Sequence, residues 1–410
     1  MSYKVRLGAI IAFLLHAAFA CQDGIAAPKL SFSGFGTLGV VHSSEDRADF
    51  VTNIFKPSGA GYTREWSPAV DSLIGAQLTA RFTPGLSGVL QVVSEQNADK
   101  DYRPHVEWAN LRYEVSDDAD VRVGRIVLPI FMYSEFRKAN YANPWIRPPV
   151  EVYNLVPISV NDGVDTSYRL HFGEATNLIR AFYGGKTSTH ANGSEAEARD
   201  QWGISDTTEY GALTIQLHYH QARLDLEGPH ALFEAFRAFG AQGAAIAARY
   251  DCGGSRIGAG GFGAGYDPGA WFLRGEWTRT FSSCFIVPQT AWYISGGFRF
   301  RELTPYLIYA KAHMDGNTSD PGLDASSLPA SAAGAAAGLN AGLNAILMST
   351  ARSTVSIGAR WDFMRDVDLK VQYDIMDLAS GSTGGLINLQ PGFQPGGTVR
   401  VLSLAVDFVF

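Results

Sequence analysis

This 410-residue sequence predicts an all-β fold, a transmembrane antiparallel β-barrel of about sixteen strands, and three observations carry that prediction. Its last stretch alternates: Leu402, Leu404, Val406, Phe408 and Phe410 share one face, Ser403, Ala405 and Asp407 the other. A period of two with one greasy and one mixed face describes a strand between two unlike media. The connections between such stretches alternate between short and long. Aromatic residues gather on the apolar face at the short-turn ends.

The elements follow in order. Residues 1–26 read as a secretory signal peptide, with Lys4 and Arg6 ahead of the apolar run Leu7–Leu15, and small residues that allow cleavage after Ala20 or Ala26. Residues 27–410 then form the barrel. Period-two segments fall at 30–42, 71–82, 86–95, 105–115, 119–127, 163–172, 176–184, 200–206, 210–224, 255–266, 270–282, 290–301, 303–312, 352–363, 367–377 and 398–410. Short turns such as Thr83-Pro84-Gly85, the Asp206-Thr207-Thr208 region and Asp267-Pro268-Gly269 alternate with long connections at 43–70, 96–104, 128–162, 185–199, 225–254, 283–289, 313–351 and 378–397. Barrels of bacterial outer membranes have short periplasmic turns and longer extracellular loops, which puts both chain ends in the periplasm. Phe82, Phe172, Tyr266, Phe300, Phe363 and Phe410 lie on apolar faces beside short turns, as a periplasmic aromatic girdle would. Core phenylalanines of a soluble all-β protein would have no reason to collect there.

Face assignments make the interior polar. Ile74, Ala76, Leu78, Ala80 and Phe82 point out while Gln77, Thr79 and Arg81 point in; Leu369, Val371, Tyr373 and Ile375 oppose Lys370, Gln372 and Asp374. A barrel this wide encloses an aqueous channel. Composition excludes other classes. The formal charge of −7 offers nucleic acid no basic face, and no segment is long and apolar enough for a spanning helix. No nucleophile elbow or phosphate loop is present, so no catalysis and no cofactor are expected. His218 and His220 share a face without a third ligand, so no metal site is expected. The sequons at Asn192 and Asn317 carry little meaning in a bacterial outer membrane. Residues 230–248 could form a short helix in one outer loop, and the Ala, Gly and Ser-rich stretch 325–345 lies within another.

The connection 128–162 is the functional candidate, holding Glu135, Arg137, Lys138, Tyr141, Trp145, Arg147, Glu151, Tyr153, Asn161 and Asp162 around the stiff run Asn143-Pro144-Trp145-Ile146-Arg147-Pro148-Pro149. Inward Arg274, Arg299, Arg360 and Lys370 are further lumen candidates, which could equally pair with Glu276 and Asp374 to brace the wall. Cys252 and Cys284 lie equally far from Pro268 on either side, so a hairpin turning there sets them opposite each other in an oxidising compartment, and a disulfide is expected.

The stretches Leu30-Ser31-Phe32-Ser33-Gly34-Phe35-Gly36, Val121-Arg122-Val123-Gly124-Arg125 and Val406-Asp407-Phe408-Val409-Phe410 resemble the general porins of Gram-negative outer membranes, over essentially the whole mature chain. Gly358-Ala359-Arg360-Trp361-Asp362-Phe363 and Tyr266-Asp267-Pro268-Gly269-Ala270-Trp271 are similar to a proteobacterial porin-like subfamily of unknown solute. The resemblance implies a third loop folded into the barrel as a constriction, with acidic Glu135, Glu151 and Asp162 facing basic Arg81, Arg112 and Arg122 on the wall. Arg125 joins them only if its strand has already turned inward, since its parity in 119–127 points out. Opposed charges in a narrow throat set up a transverse field that favours polar solutes. The partners implied are outer-membrane lipid, small hydrophilic solutes or ions and two further copies in a homotrimer. The function expected is passive diffusion; a solute-specific channel for a sugar or organic acid is the alternative, and an outer-membrane hydrolase or adhesin is less favoured.

Overall fold

The computed structural model describes residues 27–189 and 194–410; residues 1–26, expected to be a signal peptide, and Asn192 lie outside the described residues. Sixteen long strands close into one antiparallel barrel: β1 (Lys29–Ser43), β2 (Leu73–Thr83), β3 (Leu86–Glu95), β4 (His105–Ser116), β5 (Ala119–Val127), β6 (Val160–Phe172), β7 (Ala175–Thr189), β8 (Glu195–Tyr210), β9 (Leu213–Leu226), β10 (Ser255–Tyr266), β11 (Trp271–Ser282), β12 (Gln289–Phe298), β13 (Leu303–Met314), β14 (Arg352–Met364), β15 (Val367–Leu378) and β16 (Gly397–Val409). Each strand pairs with its sequence neighbours, and β1 pairs with β16 from Phe35↔Val409 to Ser43↔Val401. Closure leaves no strand edge unpaired, as a bilayer requires. At the seam the C-terminal aromatics cover glycines: a Cβ on Gly34 would lie 2.1 Å from the Phe410 ring and one on Gly36 2.4 Å from Phe408. Only glycine lets those rings lie flat on the wall.

The alternation expected from the sequence governs the whole wall. Ile74, Leu78, Ile357, Trp361 and Val371 are exposed on the outer face, while Lys370, Gln372 and Asp374 are buried inside. Phe172, Tyr266, Phe300, Phe363 and Phe410 stay exposed beside the short turns and Phe298 joins them, while Phe82 is half-buried. The barrel exterior is therefore apolar with an aromatic rim, the surface that acyl chains and their interface demand.

Several boundaries differ from the sequence reading: β7 runs to Thr189 and β8 starts at Glu195, so most of the expected long connection 185–199 is strand. Asp206-Thr207-Thr208 is not a turn; β8 runs on to Tyr210 and the reversal comes at Gly211, φ 57°. The polar trio extends the strand because Asn177 donates to Asp206 and Thr208, both at 2.8 Å. β6 starts at Val160, which places Asp162 on the wall rather than in the loop.

The outer connections hold the helices. Val150–Tyr153 is a single turn (α1), Glu227–Arg237 (α2) and Gly240–Tyr250 (α3) form a hairpin, and Ala330–Leu347 is α4. The low-complexity stretch thus forms an eighteen-residue helix, since alanine is the strongest helix former. Phe233, Phe236, Ile246, Leu343 and Leu347 pack together into a core that belongs to these loops. Cys252 and Cys284 are joined by a disulfide with Cα atoms 5.0 Å apart, tying the α3 end to the connection after β11.

Candidate functional site

The connection between β5 and β6, residues 128–159, is fastened to inward-facing side chains on most of the wall. Its first part, Leu128–Tyr133, is apolar and packs with Trp145, Val152 and Tyr153 against Phe272, Tyr293, Tyr306 and Ile308 of β11–β13. Trp145 is fully buried, and its indole N–H donates to Ser295 at 2.8 Å. Glu276 gathers three donors from this side: the Met132 amide at 2.9 Å, the Tyr153 hydroxyl at 2.7 Å and the Tyr293 hydroxyl at 2.8 Å.

A second side is polar and closed. Lys370 is wholly buried and donates to the Asn140 carbonyl at 2.7 Å while meeting Asp407 at 2.7 Å. Arg360 donates to the carbonyls of Tyr141 and Asn143, and its guanidinium lies over the Tyr141 ring at 4.6 Å. Asn140 donates to Thr37 at 3.1 Å. Arg147 forks onto Asp71 at 2.9 and 2.7 Å and reaches Asp374 at 3.3 Å, a bidentate geometry that only arginine supplies.

The third side remains open and charged. Glu135 accepts from Arg180 of β7 and lies 4.0 Å from Arg122. Lys138 bridges Glu95 at 2.6 Å and Glu107 at 2.8 Å. Burial opposes the charge on Lys138, but Glu107 and Glu95 outweigh it and hold the ammonium well above its ordinary value. Burial likewise pushes the Glu135 carboxyl up, and Arg180, Arg122 and Arg112 together draw it below the usual carboxylate range. Among the described residues Arg137 meets no carboxylate within bonding distance; it donates to the carbonyls of Tyr153 and Val156 at 2.9 and 3.1 Å. Between this part of the loop and strands β3–β7 lies a recess of about 500 Å³, whose lining includes Lys56, Glu107, Arg125, Arg137, Lys138 and Lys186.

The residues singled out from the sequence are divided among these sides. Glu135 and Arg122 meet at the open side, although Arg122 is held chiefly by Asp165 of β6, Nε to oxygen 2.8 Å. Arg112 pairs with Asp120 at 2.9 Å along the wall. Arg125 faces inward: Gly124, at φ +129°, breaks the parity of β5, and a Cβ there would lie 2.3 Å from the Ala109 carbonyl. Arg125 then grips Asp162 at 2.6 and 2.8 Å, with Lys186 3.9 Å from the same carboxylate. Glu151 lies instead on the far side, buried on Arg352 at 2.6 Å and Thr354 at 2.7 Å. Arg81 is exposed near the short-turn end of β2, and no loop ion pair is formed by it among the described residues. Arg274 and Arg299 both bind Asp267 in the short turn, at 2.8 and 2.7 Å, rather than Glu276 or the slot. Arg180, Lys186, Glu95 and Glu107 were not singled out. Arg180 and Lys186 follow the loop, and a closed barrel presents β6 and β7 to it as well as the strands before it. Glu95 and Glu107 precede the loop, but a constriction of acidic loop residues against a basic wall gives carboxylates on the wall no place. The inward parity of Arg180 and Lys186 was the signal available.

A closed sixteen-stranded antiparallel barrel with an apolar aromatic-rimmed exterior, a polar lumen and a long third connection bound to the inner wall has the fold of the outer-membrane porins. Among solved structures, the chain is similar to the anion-selective porin from Comamonas acidovorans (12% identity, 93% of this chain and 100% of that one, TM-score 0.55). It is also similar to Salmonella typhi OmpF in complex with daunomycin (12%, 93% and 98%, 0.54) and to the outer-membrane channel DcaP of Acinetobacter baumannii (12%, 93% and 97%, 0.53). A trimer form of Vibrio cholerae OmpT matches at 9% identity over 94% of this chain and 100% of that one, TM-score 0.53. No family model and no curated protein sequence matches the chain.

Proposed function

We propose that the chain is a non-catalytic outer-membrane porin through which small hydrophilic solutes or ions diffuse passively, with residues 128–159 folded inward as the constriction. The observation that carries this reading is the asymmetry of the loop's attachments. Apolar packing and buried ion pairs seal it against β11–β16, while the side facing β3–β7 keeps a charged recess of about 500 Å³. Water and ions pass where charged side chains remain solvated, and the opposed Glu135 and Arg122/Arg180, or Lys138 and Glu95/Glu107, impose a transverse field on them. Glu151, Arg81, Arg274 and Arg299 then serve the wall or the turns, and Arg360 and Lys370 anchor the loop.

The sequence resemblance and a trimeric structure among the similar proteins support a homotrimer in the outer membrane, its subunits meeting through outward positions with small residues such as Ala76, Ala80 and Ala359. Liposome swelling tests the diffusion reading. Vesicles carrying the protein should swell in sugars at rates that fall smoothly with solute size; swelling for one sugar alone would replace it with a solute-specific channel, and no swelling for any would end it.

A further inference from the structure

A second recess lies on the other flank of the loop, and it is chemically unlike the slot. Its volume is about 410 Å³, within the range of small-molecule pockets. Val156 and Ile158 of the loop form one side; Ala198 of β8, Ala222 and Leu224 of β9 and Ile257 of β10 form the other. These wall positions would carry polar residues in a lumen made only for water. The charged groups in the lining, Glu151 and Arg352, satisfy each other at 2.6 Å and offer an incoming molecule no free charge.

Three polar side chains in the same lining carry an unpartnered atom: Asn154 Oδ1 on the loop, half-buried, and two on the wall that are more than nine-tenths buried. Gln201 is 3% exposed and its Oε1 has no hydrogen-bond partner; His220 is 6% exposed and its Nδ1 has none. Buried polar atoms left unpaired are costly, so their presence in an apolar recess points to a partner that comes from outside. Gln201 also faces inward at a backbone cost. The β8–β9 register slips between Arg199 and Trp202, and Asp200 adopts φ +47°, a region that non-glycine residues rarely enter. Without that bulge the alternation set by Ala196 and Ala198 would bring Asp200 to the inner face and send Gln201 out. Bulges that re-aim a side chain are concentrated at functional positions.

We propose that this recess binds a neutral small molecule with an apolar body and a hydroxyl or N–H donor, of the size and character of an alkylphenol. Its body fills the space between Val156, Ile158, Ala222 and Leu224, its donor bonds the Gln201 carbonyl oxygen, and His220 adds a second hydrogen bond. The proposal deepens the channel reading by giving the pore a binding station for one solute class, beside the path taken by ions.

Isothermal titration of the full chain in lipid nanodiscs with 4-propylphenol tests it, run beside Ala222→Phe, which fills the recess, and Gln201→Leu, which removes the acceptor. Wild-type protein should give saturable heat above the linear partitioning into lipid. Ala222→Phe should lose the saturable component, and Gln201→Leu should bind about threefold to tenfold more weakly, the value of one hydrogen bond. Glycerol and benzoate should give none. Equal heats from wild type and a conducting Ala222→Phe, or undiminished binding by Gln201→Leu, overturn the proposal. Should Ala222→Phe fail to insert, the Gln201→Leu comparison decides. Bilayer conductance of the same preparations separates the two readings: conduction without saturable binding sinks the station alone, whereas binding without conduction sinks the channel and leaves the site.

Discussion

In the proposed channel, Lys138 is the side chain on which the charge of the slot turns. It bridges two carboxylates on adjacent strands, so replacing it with methionine leaves Glu95 and Glu107 facing the path with His105, 3.8 and 3.3 Å away, as the remaining basic neighbour. Lys138→Met should move the reversal potential in a salt gradient toward cation preference, and Glu135→Gln should move it toward anions. Because Arg180, Arg122 and Arg112 hold the Glu135 carboxyl below its ordinary range, it stays ionised through neutral and mildly acidic solution. The contribution of Glu135, read as the difference in reversal potential between wild type and Glu135→Gln, should therefore be flat from about pH 8 to about pH 5 and shrink only below the usual carboxylate range. A group with a depressed value contributes stability above its unfolded value and loses it as pH falls, so acid should also loosen the Glu135–Arg180 tether. The Glu151–Arg352 pair behaves differently, because both partners are buried. Glu151→Gln should cost roughly 3–5 kcal/mol in denaturant midpoint titrations by stranding the guanidinium, and the double change Glu151→Leu with Arg352→Met should cost much less. Parity sufficed to place Arg122 and Lys370 inside from the sequence, but it failed for Arg125, where one glycine at positive φ reverses the face. It could say nothing of Glu151, whose partner lies two hundred residues away on β14.

At the level of elements, the strands were legible because each separates lipid from water, and that contrast is written into alternate residues. The loop helices were less so. Residues 325–345 look featureless in sequence, yet α4 is placed by Asn340 and Asn344, which bond the backbone at Leu323 and Asp320 at 2.8–2.9 Å. Its packing against the α2–α3 hairpin depends on partners from separate loops, which no local pattern reveals. The Cys252–Cys284 link joins two of those loops across 32 residues of sequence. Replacing both cysteines with serine should speed protease cleavage within 227–254 on intact cells, since the crosslink no longer limits opening, while leaving conductance unchanged. The loop proposed as the constriction follows the same logic. Its prolines and aromatics announced an ordered segment, but the sequence did not say which side of it would be sealed. That choice is made by the apolar run Leu128–Phe131, which seeks the apolar patch of β11–β13 and so leaves the charged run Glu135–Lys138 toward β3–β7.

For the molecule as a whole, closure and asymmetry set the behaviour. The β1–β16 seam fixes the circumference, the outer face commits the barrel to a bilayer, and in the proposed channel the loop leaves a charged slot toward β3–β7 and an apolar recess toward β8–β14. Stepwise ionic current is the property that follows from this arrangement and from no filled or adhesive barrel. The decisive measurement is a single-channel recording of the purified full-length chain in a planar lipid bilayer. The account predicts discrete, ohmic current steps whose size scales with salt concentration. Protein shown by protease protection to have inserted, yet passing no current at any voltage, would contradict it.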